Sequence, residues 1–125
     1  MEFIRRDDVK VFAHSGVTSH QLLFPQNSKS LQVTITRVTL QPGAVNPRHR
    51  HDTSAPIGVA LSGSGRLLLA DDLTAPFAAG DIVRFEDGAM HGLENTGSSP
   101  FEYLAVTAPP LKFRVAYAAE WRPKP

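Results

Sequence analysis

The chain has 125 residues, a formal net charge of +1 and no cysteine. That length suits one domain, residues 1–125, large enough to bury a core without disulfides or a structural metal. The charge balance argues against a nucleic-acid footprint, and the missing cysteine rules out thiolate ligands, thiol nucleophiles and disulfides. The opening Met1-Glu2-Phe3-Ile4-Arg5-Arg6-Asp7-Asp8 carries charge where a signal peptide needs its apolar run. No stretch reaches the ~18 apolar residues of a membrane span. A cytoplasmic protein with no membrane partner is expected.

Val9 to Phe12 and Gln21 to Phe24 read as short strands separated by Gly16 and Ser19. His14 and His20 are expected to be exposed loop or edge-strand histidines without a role at a site. Leu31 to Leu40 is rich in Val, Ile and Thr, with Leu31, Val33 and Ile35 alternating against Thr34 and Thr36. That pattern predicts a half-buried strand whose apolar face slips at Val38 and Leu40, through a bulge or burial on both faces. Pro42-Gly43 suits the middle of a type II turn, where Gly supplies positive φ. Ile57 to Leu61, Arg66 to Ala70, Ile82 to Phe85, Met90 to Glu94 and Phe101 to Thr107 are the following strands. Asp71-Asp72 marks a turn. Asp87-Gly88 predicts a hairpin between the strands on either side of it. Only Tyr117 to Trp121 suggests a helical turn, ended by Pro123. Short strands at regular spacing, with Gly and Pro between them, predict an all-β sandwich or barrel. Its interior is expected from Ile57, Val59, Leu61, Val83, Phe85, Leu93, Tyr103 and Ala105, half of them facing inward.

Chemistry concentrates in Gly43-Ala44-Val45-Asn46-Pro47-Arg48-His49-Arg50-His51. On a strand, residues two apart share a face about 6.6–7 Å from one another, so His49 and His51 can converge on one metal ion. Arg48 and Arg50 then point the other way. A second stretch runs from Gly80 through Gly88 and His91 to Asn95.

Together the two stretches resemble the paired signatures of the cupin superfamily. Gly43, His49, His51 and Gly63 fall in register with G-x5-H-x-H-x(3,4)-E-x6-G. Gly80, Gly88, His91 and Asn95 match G-x5-P-x-G-x2-H-x3-N. Pro56 stands where the first signature has its glutamate, and Glu86 where the second has its proline. The resemblance implies a double-stranded β-helix (jelly-roll) barrel with its core at about 31–107 and terminal extensions at 1–30 and 108–125. It also implies one divalent transition metal (Fe, Ni, Zn, Cu or Mn) held by His49, His51 and His91. Asn95 is expected to cap a turn. Asp52, Glu86, Glu94 and Glu102 are expected to stay solvated.

Three neutral imidazoles leave a divalent ion its full charge, which favours an anionic chelating ligand. Three-histidine cupins include dioxygenases, so the resemblance implies a small organic acid or carbonyl compound as substrate, with dioxygenation as one reaction. A metal-dependent isomerase or lyase is the second enzymatic reading. A non-catalytic ligand-binding or sensing module is the alternative class, since the missing glutamate fits either a three-histidine centre or one that has lost its metal. No residue is assigned as catalytic. Aromatic residues in both extensions, among them Phe3, Phe12, Phe113 and Trp121, imply packing against something, and a homodimer through the sheet edges and terminal segments is expected.

Overall fold

The computed structural model describes residues 1–30, 32–50, 55–108 and 122–123. The strands are β1 (Lys10–His14), β2 (Val17–Leu23), β3 (Thr34–Leu40), β4 (Val45–His49), β5 (Ala55–Ser62) and β6 (Ser64–Leu69). They continue with β7 (Thr74–Ala78), β8 (Ile82–Arg84), β9 (His91–Glu94), β10 (Phe101–Ala108) and β11 (Arg122–Pro123). They form two antiparallel sheets. One has seven strands in the order β11-β1-β2-β3-β10-β5-β8, and the other has four in the order β4-β9-β6-β7. This is the all-β, jelly-roll architecture that the sequence implies.

Between the sheets lies one apolar cluster, in which Val17, Val38, Leu40 and Phe101 of the larger sheet meet Leu67, Phe77 and Leu93 of the smaller one. Leu40 and Phe101 are wholly buried. Burial of each such side chain contributes about 1.5–3 kcal/mol. β1 and β2 extend the larger sheet beyond β3, and Val17 places β2 in the core.

Three expectations are corrected. In β3, Thr34 and Thr36 point inward together with Val38 and Leu40, while Ile35 is half-exposed. There is no slip: β3 keeps one phase, and its register against β10 is unbroken from Thr34 to Leu40. The inward face is apolar at one end of the strand and hydroxylic at the other. Leu31 lies outside the described residues. In β5 the small residues face inward. A Cβ on Gly58 would contact Phe77 and Val83, and Ala60 is buried, so Ile57, Val59 and Leu61 face outward. Finally, β8 and β9 form no hairpin. β8 pairs with β5 in the larger sheet and β9 with β4 and β6 in the smaller one. Gly88 makes its turn at φ 74°, but the loop around it crosses between sheets. The Phe85 N–H, donated to Pro56 O at 2.9 Å, ends the pairing with β5 there.

Other turns behave as expected. Ala44 N donates to Gln41 O across Pro42-Gly43, with Gly43 at φ 81°. Asp71 and Asp72 both adopt φ 58° in the turn between β6 and β7. The Tyr117 to Trp121 segment lies outside the described residues.

Candidate metal centre

Pro47 governs the local structure of β4. With no N–H it cannot complete a ladder, and the β4–β9 register breaks between Asn46 and His49. Past the break, His49 stands directly across from His91. Their ring centroids are 4.3 Å apart, with the planes tilted by 59°. The second and third histidines of the sequence pattern fare differently: His91 meets His49 here, while His51 lies outside the described residues. Among the described residues no group of three metal-ligating side chains is gathered.

Each ring is oriented by backbone. His49 Nδ1 lies 2.7 Å from Pro47 O, and His91 Nδ1 lies 3.0 Å from Ala89 O. A carbonyl can only accept, so the proton is assigned to Nδ1 in both rings, and Nε2 carries the lone pair. That is the tautomer a metal ligand needs, fixed by the kind of outer contact that orients ligating imidazoles. Burial holds the His91 imidazole below its usual value of 6.5. The neighbouring His49 adds to this, and the hydrogen bond to Ala89 opposes it. His91 therefore favours the neutral form. Phe85 stacks on the His91 ring, with the centroids 4.9 Å apart. Two imidazoles with oriented Nε2 atoms fit a divalent transition metal.

Backbone approach beneath the pair depends on Gly92. A Cβ there would lie 2.7 Å from Asn46 O and 2.9 Å from Arg48 N. Only glycine lets the broken segment of β4 come so close. The hint in the sequence was Pro47 inside a strand, but the residue facing it could not be read from one chain segment.

The carboxylates are engaged elsewhere. Glu94 accepts from Arg66 Nε at 2.7 Å, Glu102 from Thr39 at 3.1 Å, and Glu86 from Arg84 at 3.1 Å. Asp52 lies outside the described residues. Pro56 is buried, near the start of β5, and shares the inward phase of Gly58 and Ala60. Asn95 is a fastener and not a ligand. It is wholly buried, its Nδ2 donates to Leu40 O and Ser99 O, and its Oδ1 accepts from Gly97 N. His14 ends β1 and touches Ser15 Oγ. His20 departs from expectation: β2 is an interior strand, and His20 is half-buried on the outward face between Val11 and Arg37.

The cupin-domain family profile matches residues 36–107. An oxalate-binding protein of Thermotoga maritima is 34% identical over 70 residues, covering 56% of this chain and 57% of that protein. A germin-like protein, 1-1, of Oryza sativa is 30% identical over 86% of this chain and 51% of its own length. The chain thus spans a little over half the length of these curated relatives. Among solved structures, a predicted oxalate decarboxylase of Thermotoga maritima superposes with a TM-score of 0.73 at 25% identity, covering 85% of this chain and 97% of that one.

Proposed function

Since this chain belongs to the cupin domain family, we propose that it binds one divalent transition metal through His49, His51 and His91 and takes a small organic acid or carbonyl compound there. One observation carries the reading. Two imidazoles from paired strands, 4.3 Å apart, each have Nδ1 tied to a backbone carbonyl and Nε2 left as the basic nitrogen. The similarity to a protein named for oxalate binding supports an acid as the ligand. A bound divalent ion would supply Lewis acidity toward a carboxylate or carbonyl oxygen. The chain itself supplies two oriented imidazoles and, through Phe85 stacked on His91, apolar cover for that ring. Dioxygenation is the enzymatic reading.

Pro56 favours a second reading, a binding module without catalysis, because an apolar residue occupies the carboxylate position of the family signature. Metal analysis of the purified protein and of His49→Ala, His51→Ala and His91→Ala tests the centre. Each variant should lose most of its metal, and full retention in His91→Ala would remove that residue from it. Pro56→Glu separates the two readings. If wild type holds metal, the substitution adds a ligand, lowers the charge of the centre and weakens anion binding. If wild type is empty, the substitution should restore metal.

We also propose a homodimer. The outward face of the larger sheet carries Ile57, Val59, Leu104 and Val106, with Leu61 43% and Ile82 72% exposed. A monomeric mass by light scattering at micromolar concentration would refute it.

A further inference from the structure

The inward face of the seven-stranded sheet changes chemistry along its strands. Beside Leu40, Phe101 and Tyr103 it is apolar. One inward step farther, Gln21, Thr36, Ala105 and Gly58 form a cross-strand row. The next step brings Thr34, Thr107 and Pro56 side by side. Gln21 is 1% exposed, Thr36 5%, Thr34 1% and Thr107 2%. Buried hydroxyl and amide groups cost stability unless they are hydrogen-bonded, so an interior does not collect them without consequence. Thr34 and Thr107 share a hydrogen bond, and Gln21 Nε2 donates to Ser19 Oγ.

Two links place these rows relative to the histidines. Asn46 Nδ2 donates to Tyr103 OH at 3.0 Å, so Asn46 of β4 lies over the row of Tyr103. Asn46 pairs with Leu93, and one inward step from Leu93 along β9 is His91. At the other end, Phe85 stacks on His91 and donates its N–H to Pro56 O, in the row of Thr107 and Thr34. The histidine pair therefore lies over the polar rows, between the levels of Tyr103 and Thr107.

We propose that Gln21 and Thr36, backed by the Thr34–Thr107 pair, are the specificity surface for the outer end of the ligand, and that the ligand is a short monocarboxylate bearing a hydroxyl or carbonyl oxygen. The inference rests on the metal reading above. Its charge logic is simple. All four side chains are neutral, and four arginines of the surrounding strands are directed elsewhere. Arg37 points outward from β3, Arg48 donates to Leu69 O and Leu73 O, and Arg66 and Arg84 hold glutamates. A second carboxylate reaching these rows would lose its hydration among side chains that are all neutral. A hydroxyl or carbonyl oxygen instead meets a threonine hydroxyl, which donates and accepts, and an amide that does both. Ala105, beside Thr36, adds only a methyl group to the row.

The test uses the full chain loaded with Ni(II), titrated calorimetrically with 3-hydroxypropionate, butyrate and succinate. Butyrate matches the first in size but lacks its outer oxygen. Wild type should bind 3-hydroxypropionate about tenfold more tightly than butyrate, the effect of one hydrogen bond, and should bind succinate more weakly still. Thr36→Val and Gln21→Met should each erode that preference while nickel content and butyrate affinity stay at wild-type level, and Thr36→Ser should restore it. A preference unchanged in both variants, or succinate binding tighter than 3-hydroxypropionate, overturns this inference alone. A wild type that takes up no nickel overturns the metal reading and this inference together.

Discussion

Two strand pairs of this protein follow opposite rules. β3 and β10 run in unbroken register from Phe101↔Leu40 to Thr107↔Thr34. β4 and β9 hold only Val45↔Glu94, Asn46↔Leu93 and His49↔His91, with an irregularity in between. The first pair lies at the centre of the larger sheet and ends on the wholly buried Leu40 and Phe101. The second carries the candidate ligands on a half-exposed strand that Pro47 prevents from pairing fully. Regular pairing supplies stability, and the broken pairing supplies the geometry that brings two imidazoles side by side.

If that division holds, damage to the two pairs should have separable effects. Phe101→Ala attacks the regular pair and should produce the largest loss, about 3–5 kcal/mol, read as a fall in the urea midpoint. Gly92→Ala attacks the irregular pair. Its Cβ must displace the Asn46–Arg48 backbone, and overpacking of this kind costs about 1–3 kcal/mol. Metal binding should fall much further than stability does, because His49 moves with that backbone. If metal affinity in Gly92→Ala matches wild type, the close approach is irrelevant to the centre.

Acid should then act on the irregular pair through His91. Its folded-state value is lowered by burial, so the unfolded chain takes up a proton near 6.5 while the folded chain resists. The contribution of His91 to stability therefore declines as pH falls through about 6.5, and levels off below its lowered folded value. Urea midpoints of apo wild type between pH 7.5 and 5 should drop more steeply than those of His91→Gln. Parallel curves would show that burial does not perturb this ring. The smallest effect belongs to the surface of the smaller sheet: Glu94→Gln breaks a part-exposed pair with Arg66 and should cost under about 1 kcal/mol without touching metal content.

The same contrast explains what could be read from sequence. Strand positions were legible because β-branched runs and Gly or Pro breaks are local signals. The inward phase of β3 was misjudged, because Thr34 and Thr36 occupy the barrel interior where alternation would put Ile35. Apolar periodicity assumes an apolar interior, and part of this interior is hydroxylic. The Asp87-Gly88 turn was legible as a turn but not as a crossing between sheets, since turn chemistry is silent about which strand the chain joins next. His49 and His91 are 42 residues apart in the chain, and only their combined resemblance to two signatures suggested that they meet. Gly92 escaped notice because its neighbour is the backbone of another strand.

Arg48 has a further consequence. Its guanidinium spans Leu69 O at 2.7 Å and Leu73 O at 3.4 Å, fastening the two ends of the β6–β7 turn to the residue next to His49. Leu73 is 62% exposed. An environment-sensitive fluorophore on a cysteine introduced at residue 73 would thus be wired to the centre through one side chain, in a chain with no other thiol to label. The fold comes with an attachment point for an optical sensor, and Arg48→Met is the control that cuts the wire.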